Sequence, residues 1–221
     1  MKAYKFKAAE QIPHAFDIIF NSRLYCADWS NLNAPMEGMF AYSHKSADEE
    51  DLKRTIASII REKKRLRVCS LSETFDCHLL WSHYASGFSG LAIEVELPEN
   101  SPAIRKVTYR GVFAGVDLHG HIDEQRTAEE ILSSKYSEWA YEREIRVLDR
   151  ETYFPLAKPV RHVIAGHRME PALFDALNFI CRQKGIRFSR TGIGDLGIDA
   201  DSVEPPKTLK KARKERTHGR D

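Results

Sequence analysis

At 221 residues, 42% of them hydrophobic and 30% charged, the chain has the size and composition of one large domain or two small ones with a sizeable core. No apolar run approaches the ~20 residues needed to cross a bilayer, and Met1 to Ile12 alternates charge with aromatics where a secretory leader would be apolar, so the expectation is a cytoplasmic protein without a membrane partner. A formal charge of +2 hides an asymmetry: Pro205 to Asp221 carries seven Lys/Arg against two acids, a net of +5 that leaves −3 on the body, as expected of a disordered basic arm able to touch nucleic acid.

Ala3 to Lys7 alternates like a strand, and Pro13 opens a short helix with Phe16, Ile19 and Phe20 on one face. Leu24 to Ala27 is a second short strand, and Asn31 to Gly38, with Asn33, Pro35 and Gly38, has turn composition. Ser46 and Glu49 form a capping box for a helix reaching about Arg65, with Leu52, Ile56, Ile59 and Ile60 inward. Leu66 to Leu71 is a strand that ends in the polar turn Ser72 to Asp76, after which Cys77, Leu80, Trp81 and Tyr84 line one side of a short helix stopped by Gly87 and Gly90.

Leu91 to Leu97 alternates as a half-buried strand, Ile104 to Gly111 reads as another, and Thr127 with Glu130 repeats the capping-box pattern. Val160 to Ala165 is a strand. Pro171 starts a helix to Lys184, with Leu173, Phe174, Leu177, Ile180 and Cys181 on one face and Gly185 as its stop; Ile186 to Ser189 is the last strand before a Gly-rich stretch. Helices and strands mix without steady βαβ alternation, and no linker divides the body. The expectation is one α+β domain over residues 1–203, of mixed and mostly antiparallel sheets flanked by helices, with 204–221 as the tail. The four cysteines form no C-x-x-C pair, so reduced, mostly buried thiols are expected.

The most informative stretch is Trp139-Ala140-Tyr141-Glu142-Arg143-Glu144-Ile145-Arg146. Read as a strand, it puts Glu142, Glu144 and Arg146 on one face and Trp139, Tyr141, Ile145 and Val147 on the packed one, with Arg143 as the misfit. Two carboxylates held close and partly dry repel, and a cation, a raised pKa or a substrate must resolve the conflict. The bland resolution is that they neutralise Arg143, Arg146 or Lys135 at a sheet surface.

The segments Tyr4-Lys5-Phe6-Lys7, Leu32 to Glu37, Val68 to Glu73, Leu80-Trp81-Ser82-His83-Tyr84-Ala85, Lys135 to Arg146 and Val163 to Gly166 together resemble a bacterial and phage family known as domain of unknown function 2971. More distantly, the order of elements resembles the ADP-ribosyltransferases, one branch of which carries a basic residue on the first strand, S-x-S on a middle strand and E-x-E on a late one. Here the corresponding residues are Lys5 or Lys7, Ser70-Leu71-Ser72 and Glu142-Arg143-Glu144; the departure is Lys where that superfamily has Arg or His.

This second resemblance implies a split β core, NAD as substrate, transfer of ADP-ribose to a macromolecular acceptor, and a role as a toxin or phage-defence effector. It casts Glu144 as the carboxylate that hydrogen-bonds the ribose as oxocarbenium character develops, and Glu142, ~6.6 Å away along a strand, as the group that holds or deprotonates the acceptor. Lys5 or Lys7 would meet the diphosphate as point charges, Ser70 would position ribose or Glu144 with Ser72 in the same cofactor-binding set, Trp81 or Tyr84 would stack on nicotinamide, and His83 would touch substrate. The plainer alternatives are that Trp81 and Tyr84 are core residues, that His83 is an exposed hydrogen bonder and that the serines cap the next helix.

Two rival functions stand beside this one. A non-catalytic nucleotide- or nucleic-acid-binding module would use the cleft or the basic tail. A metal-dependent nuclease would use Asp117, His119, His121 and Asp123 at period two, with His162 or His167. Gly115 and Gly120 make that segment read as a loop, and no metal is expected. Gly192 to Gly197 lacks the strand-then-helix context of a dinucleotide fingerprint.

Overall fold

Alternation of Ala3, Lys5 and Lys7 against Tyr4 and Phe6 starts the fold as a strand, and the computed structural model, which describes residues 1–32, 36–44, 49–119, 121–194 and 197–202, builds a nine-stranded sheet around it. The first half of the chain supplies β1 (Lys2–Lys7), α1 (Ile12–Asn21), β2 (Arg23–Tyr25), β3 (Ala27–Asp28), β4 (Phe40–Ser43), α2 (Glu49–Arg65), β5 (Arg67–Ser72), α3 (His78–Tyr84) and β6 (Leu91–Glu96). The second half adds β7 (Ile104–Lys106), β8 (Thr108–Arg110), β9 (Ala114–Asp117), α4 (Glu124–Leu132), β10 (Ser134–Tyr136), β11 (Glu144–Asp149), β12 (Tyr153–Pro155), β13 (His162–Ala165), α5 (Pro171–Gln183), β14 (Arg187–Gly194) and β15 (Gly197–Ser202). The large sheet runs β15-β14-β13-β6-β1-β5-β11-β7, with β3 also paired to β5; β10 with β8, β12 with β2 and β4 with β9 make small two-stranded sheets. Pairing is mostly antiparallel, and the chain is an α+β body. No helix among the described residues is long and apolar enough to cross a membrane.

One break in the sheet matters more than its length. β1 is paired with β6 over six residues, from Lys2 opposite Glu96 to Lys7 opposite Leu91, and β5 with β11 over six, from Glu144 opposite Ser72 to Asp149 opposite Arg67. Between β1 and β5 there is only Tyr4 opposite Ser72. Beyond that point the two strands splay, and Lys5 donates its Nζ hydrogen to the Ser70 carbonyl at 2.7 Å across the gap. A charged donor thus satisfies a carbonyl that the divergence removes from the ladder.

The main core, on one side of the sheet, gathers Ala3, Leu71, Ile93, Val95, Ile145, Val147 and Val163 with Ile12, Ala15, Ile18 and Ile19 of α1 and Leu177 and Cys181 of α5. A second cluster packs Phe6, Leu80, Trp81, Phe88 and Ile164, which seats α3 on the opposite side.

Several local expectations shift. Phe20 and Ile60 lie on their helices but are 51% and 36% exposed, since the packed stripes of α1 and α2 turn away from them. Ile104 to Gly111 is broken at Val107, whose N–H is donated to the Glu144 carbonyl, and the second half turns to pair with β10 instead. Thr127 caps nothing: α4 already runs from Glu124 on an Asp123 cap that accepts from the Arg126 N–H at 2.9 Å. In the Gly-rich stretch, Gly192 and Gly194 belong to β14 and Gly197 to β15, two strands paired antiparallel, while Asp195 and Leu196 lie outside the described residues. Ser46 of the first capping box, Asn33 and Pro35 of the early turn, and the basic tail lie outside the described residues.

Two glycines allow the close approaches that seat α3. A Cβ on Gly90 would lie 2.1 Å from the Lys7 carbonyl oxygen, and one on Gly166 would lie 2.0 Å from that of Phe88. Both obstacles are backbone and cannot rotate away. Gly90→Ala and Gly166→Ala should each lower stability by about 2–3 kcal/mol, read as an earlier urea midpoint with an unchanged slope; an unchanged midpoint would contradict this packing.

Candidate functional site

Where β1 and β5 part, a cleft of about 510 Å³ opens. One lip is β1 with Lys5 and Lys7, the other is β5 with Val68, Ser70 and Ser72, and α3 adds His83 and Tyr84. Its floor is formed by Glu37, Lys135, Glu142 and Glu144. The volume is of the size that holds a small ligand or cofactor.

The floor is an ion cluster with almost no exposure. Lys135 Nζ contacts Glu37 at 3.4 Å and Glu144 at 3.2 Å and forms a short hydrogen bond to Glu142. Arg146 is 0% exposed; its Nε donates to Glu144 Oε1 at 2.8 Å and one Nη to Glu144 Oε2 at 3.0 Å, while the guanidinium also pairs with Glu37 and donates to the Leu132 carbonyl at 2.7 Å. Tyr84 donates its hydroxyl to Glu142 Oε1 at 2.5 Å. Three carboxylates therefore share two cations.

The Glu142-Arg143-Glu144 segment is a corner, which corrects the expectation of a continuous strand. Residues 137–142 form a 3-10 turn, Arg143 takes a left-handed backbone conformation at φ 45°, and β11 begins at Glu144. A straight strand would set both carboxylates side by side. The corner instead brings them onto one ammonium from two directions, and that gain outweighs the cost of about 1 kcal/mol or more for a left-handed non-glycine residue. Hydrogen bonds pin the corner: Ser72 Oγ donates to the Glu142 carbonyl at 2.6 Å, Glu73 N–H to that of Arg143 at 3.0 Å, and the Glu144 N–H is donated to Tyr109 Oη at 2.7 Å. Trp139 and Tyr141 are half-buried on the turn and do not join Ile145 and Val147 in the core; Arg143 is exposed and reaches Glu73 at 3.6 Å.

The two carboxyls differ in their electrostatics. Burial alone would raise that of Glu144, but Arg146 and Lys135 overcome it and hold the group down at about 2. For Glu142 burial prevails over Lys135 and the Tyr84 hydroxyl, and its carboxyl lies above the ordinary value. Glu144 is thus a fixed anion, while Glu142 takes up the surplus charge by binding a proton more readily. On the lip, burial and then the neighbouring Lys5 charge lower the Lys7 ammonium to about 8.

Of the nine residues expected at a site, Lys5, Lys7, Ser70, Ser72, His83, Tyr84, Glu142 and Glu144 line this one cleft. Trp81 does not. It is 0% exposed, donates Nε1–H to the Phe75 carbonyl at 2.7 Å and stacks on Phe88, so it belongs to the core that carries α3. Glu37 was legible only as part of a resembling segment, because its partners are about a hundred positions away in sequence. Trp139, beneath whose ring Lys135 sits at 5.1 Å, was expected on the packed face of a strand, and Tyr109 gave no signal.

Of the residues of the metal alternative, Asp117 and His119 pair with each other, while Asp123, His162 and His167 are engaged elsewhere. Asp123 caps α4, His162 is buried against Ser189 at 2.8 Å, and His167 packs on the Phe88 ring. Among the described residues no three His, Cys, Asp or Glu side chains are grouped as metal ligands. No family model, curated protein or solved structure matches the chain.

The charge inequality is testable. Glu144→Gln leaves Arg146 without its bidentate partner and should cost roughly 3 kcal/mol at pH 7; because its folded-state pKa is depressed, this stabilisation is complete above the ordinary carboxylate value of 4.5 and fades as pH falls toward about 2. Glu142→Gln removes surplus negative charge and should cost well under half as much. Urea titrations of both variants at pH 7 and near pH 3 check this; equal losses at pH 7 would refute it.

Proposed function

We propose that the cleft binds a dinucleotide of the NAD type and that the protein is an ADP-ribosyltransferase-like enzyme passing ADP-ribose to a macromolecular acceptor. The observation that carries this reading is that a basic first strand, an S-x-S strand and an E-x-E corner lie on the adjacent strands β1, β5 and β11 and face one cleft where the sheet divides. The order of those three motifs, with Lys in the place of Arg or His, is the one that resembles the superfamily.

The charges suit the ligand from end to end. Lys5 and Lys7 on the lip favour a diphosphate, as point charges rather than bidentate forks. Cleaving the nicotinamide–ribose bond develops positive charge on the sugar, and the Glu144 carboxylate, kept ionised by Arg146 and Lys135, opposes that charge without reorganising. Glu142, whose carboxyl is raised, is the better proton acceptor and is assigned to the incoming nucleophile. Tyr84, joined to Glu142, and His83, exposed beside it, border the space for the nicotinamide ring.

A second reading has its own support: Glu144 is so fully engaged by Arg146 and Lys135 that the cleft could bind the dinucleotide without turning it over.

Calorimetry with NAD and a nicotinamide-release assay separate the two. Turnover is expected in the native protein; Lys5→Ala and Lys7→Ala should each weaken NAD binding about tenfold, or ~1.4 kcal/mol. Glu142→Gln should lose at least a hundredfold in release while keeping its affinity within a few fold. Binding without release selects the second reading, and no heat of binding at millimolar NAD ends both.

A further inference from the structure

Cys26 and Cys69 are free thiols, 0% and 1% exposed, in the same core cluster. β3 and β5 are antiparallel, with Ala27 opposite Val68 and Asp28 opposite Arg67, so one further step of the ladder sets Cys26 opposite Cys69. Side chains alternate along a strand, and Ala27 and Val68 line the cleft, so the two thiols project together from the other face. The Cys26 N–H is donated to the Thr152 carbonyl at 2.8 Å, which leaves Cys26 facing Cys69 as a non-hydrogen-bonded pair, the kind with the closer Cα atoms, about 4.5 Å apart. That spacing falls within the roughly 4.4–6.8 Å that a disulfide spans.

The two thiols are also unequal. The adjoining Cys26 thiol lowers the Cys69 thiol, against its burial and with help from Lys5 and Lys7, while Cys69 and burial push Cys26 up; the Cys26 thiol itself reaches the Leu24 carbonyl at 3.9 Å. The inequality favours Cys69 as the sulfur that ionises first and Cys26 as the protonated neighbour that resolves it. The other cysteines lack this arrangement: Cys181 is raised to about 11 by burial in α5, and Cys77 precedes α3.

We propose that Cys26 and Cys69 are a two-electron redox site that reacts with a hydroperoxide and closes to a cross-strand disulfide behind the cleft wall. The Cys69 thiolate attacks the peroxide oxygen, forming an S–O bond as the O–O bond breaks; with hydrogen peroxide the leaving hydroxide takes a proton and departs as water. Cys26 sulfur then attacks the sulfenic sulfur, the S–S bond forms, and the hydroxyl leaves with the Cys26 proton as a second water. Both thiols are oxidised and one peroxide is reduced. β3 is two residues long, so its local opening is the route by which oxidant enters. Closure joins β3 to β5 directly behind Ala27 and Val68, which makes the cleft wall the part of the molecule that feels the change.

Hydrogen peroxide in a few-fold excess over the native full chain, followed by alkylation of remaining thiols in denaturant and peptide mapping, tests the assignment. The expected product is a Cys26 peptide joined to a Cys69 peptide, with Cys77 and Cys181 alkylated, a raised Tm, and full reversal by dithiothreitol. Cys26→Ser should stop the reaction at a Cys69 sulfenic acid trapped by dimedone. Recovery of both Cys26 and Cys69 as alkylated thiols, or their joining to Cys77 or Cys181, would overturn the proposal whatever NAD does.

Discussion

Burying the Lys135 ammonium beside the Arg146 guanidinium is tolerable only because Glu37, Glu142 and Glu144 are buried with them. Removing an ion from water costs several kcal/mol even after relaxation, and the mutual attraction compensates only if the geometry is tight and the remaining donors are used. Arg146 meets that condition: Nε and both Nη groups are hydrogen-bonded, to two carboxylates and a main-chain carbonyl. No buried side-chain nitrogen or oxygen among the described residues lacks a partner. The cluster therefore dictates the path of the chain around it, drawing the 36–38 turn, β10, the 3-10 turn and β11 to one point.

That constraint explains how the fold becomes a cleft. β11 is held flush against β5 by six paired residues, and β1 is held against β6 in the same way, so the sheet yields at the seam between the two halves. Tyr4 opposite Ser72 is the last pairing before it opens. Lys5 bridges the seam to the Ser70 carbonyl, α3 covers one end through its seat on Trp81 and Phe6, and the ion cluster closes the floor. The cleft thus carries cations on its lip and an excess of carboxylate below.

Much of the fold was readable because its signals are local. Alternation in Leu91 to Leu97 marked a strand, though Ala92 on its expected open face is buried as well; Pro171 and Gly185 bounded α5, and the pattern of Leu80, Trp81 and Tyr84 placed α3. Errors fell where tertiary contacts outvoted local pattern. Thr127 and Glu130 form a good capping box, yet Asp123 starts the helix earlier and puts Thr127 in its interior. The alternation from Trp139 to Arg146 looks like a strand, yet the pull of Lys135 on both carboxylates folds it into a corner at Arg143. Trp81 and Tyr84 share a helix face in the sequence, and only the packing separates them, the indole into the core and the phenol toward Glu142.

By itself the sequence determined which residue types the site would draw on: paired carboxylates near a late strand, two serines on a middle one, two lysines on the first. The carboxylate pair stands out by side-chain chemistry and short spacing, which need no partner to be visible, whereas the serines and lysines were singled out only by the order of motifs that resembles the ADP-ribosyltransferases. Only the tertiary structure decided that Glu37 would join them across about a hundred residues, that Glu144 would be the fixed anion and Glu142 the titratable one, and that Cys26 would face Cys69. The reason is physical: desolvation and Coulomb attraction depend on what lies within a few ångströms in space, and strand register, not sequence order, sets those distances.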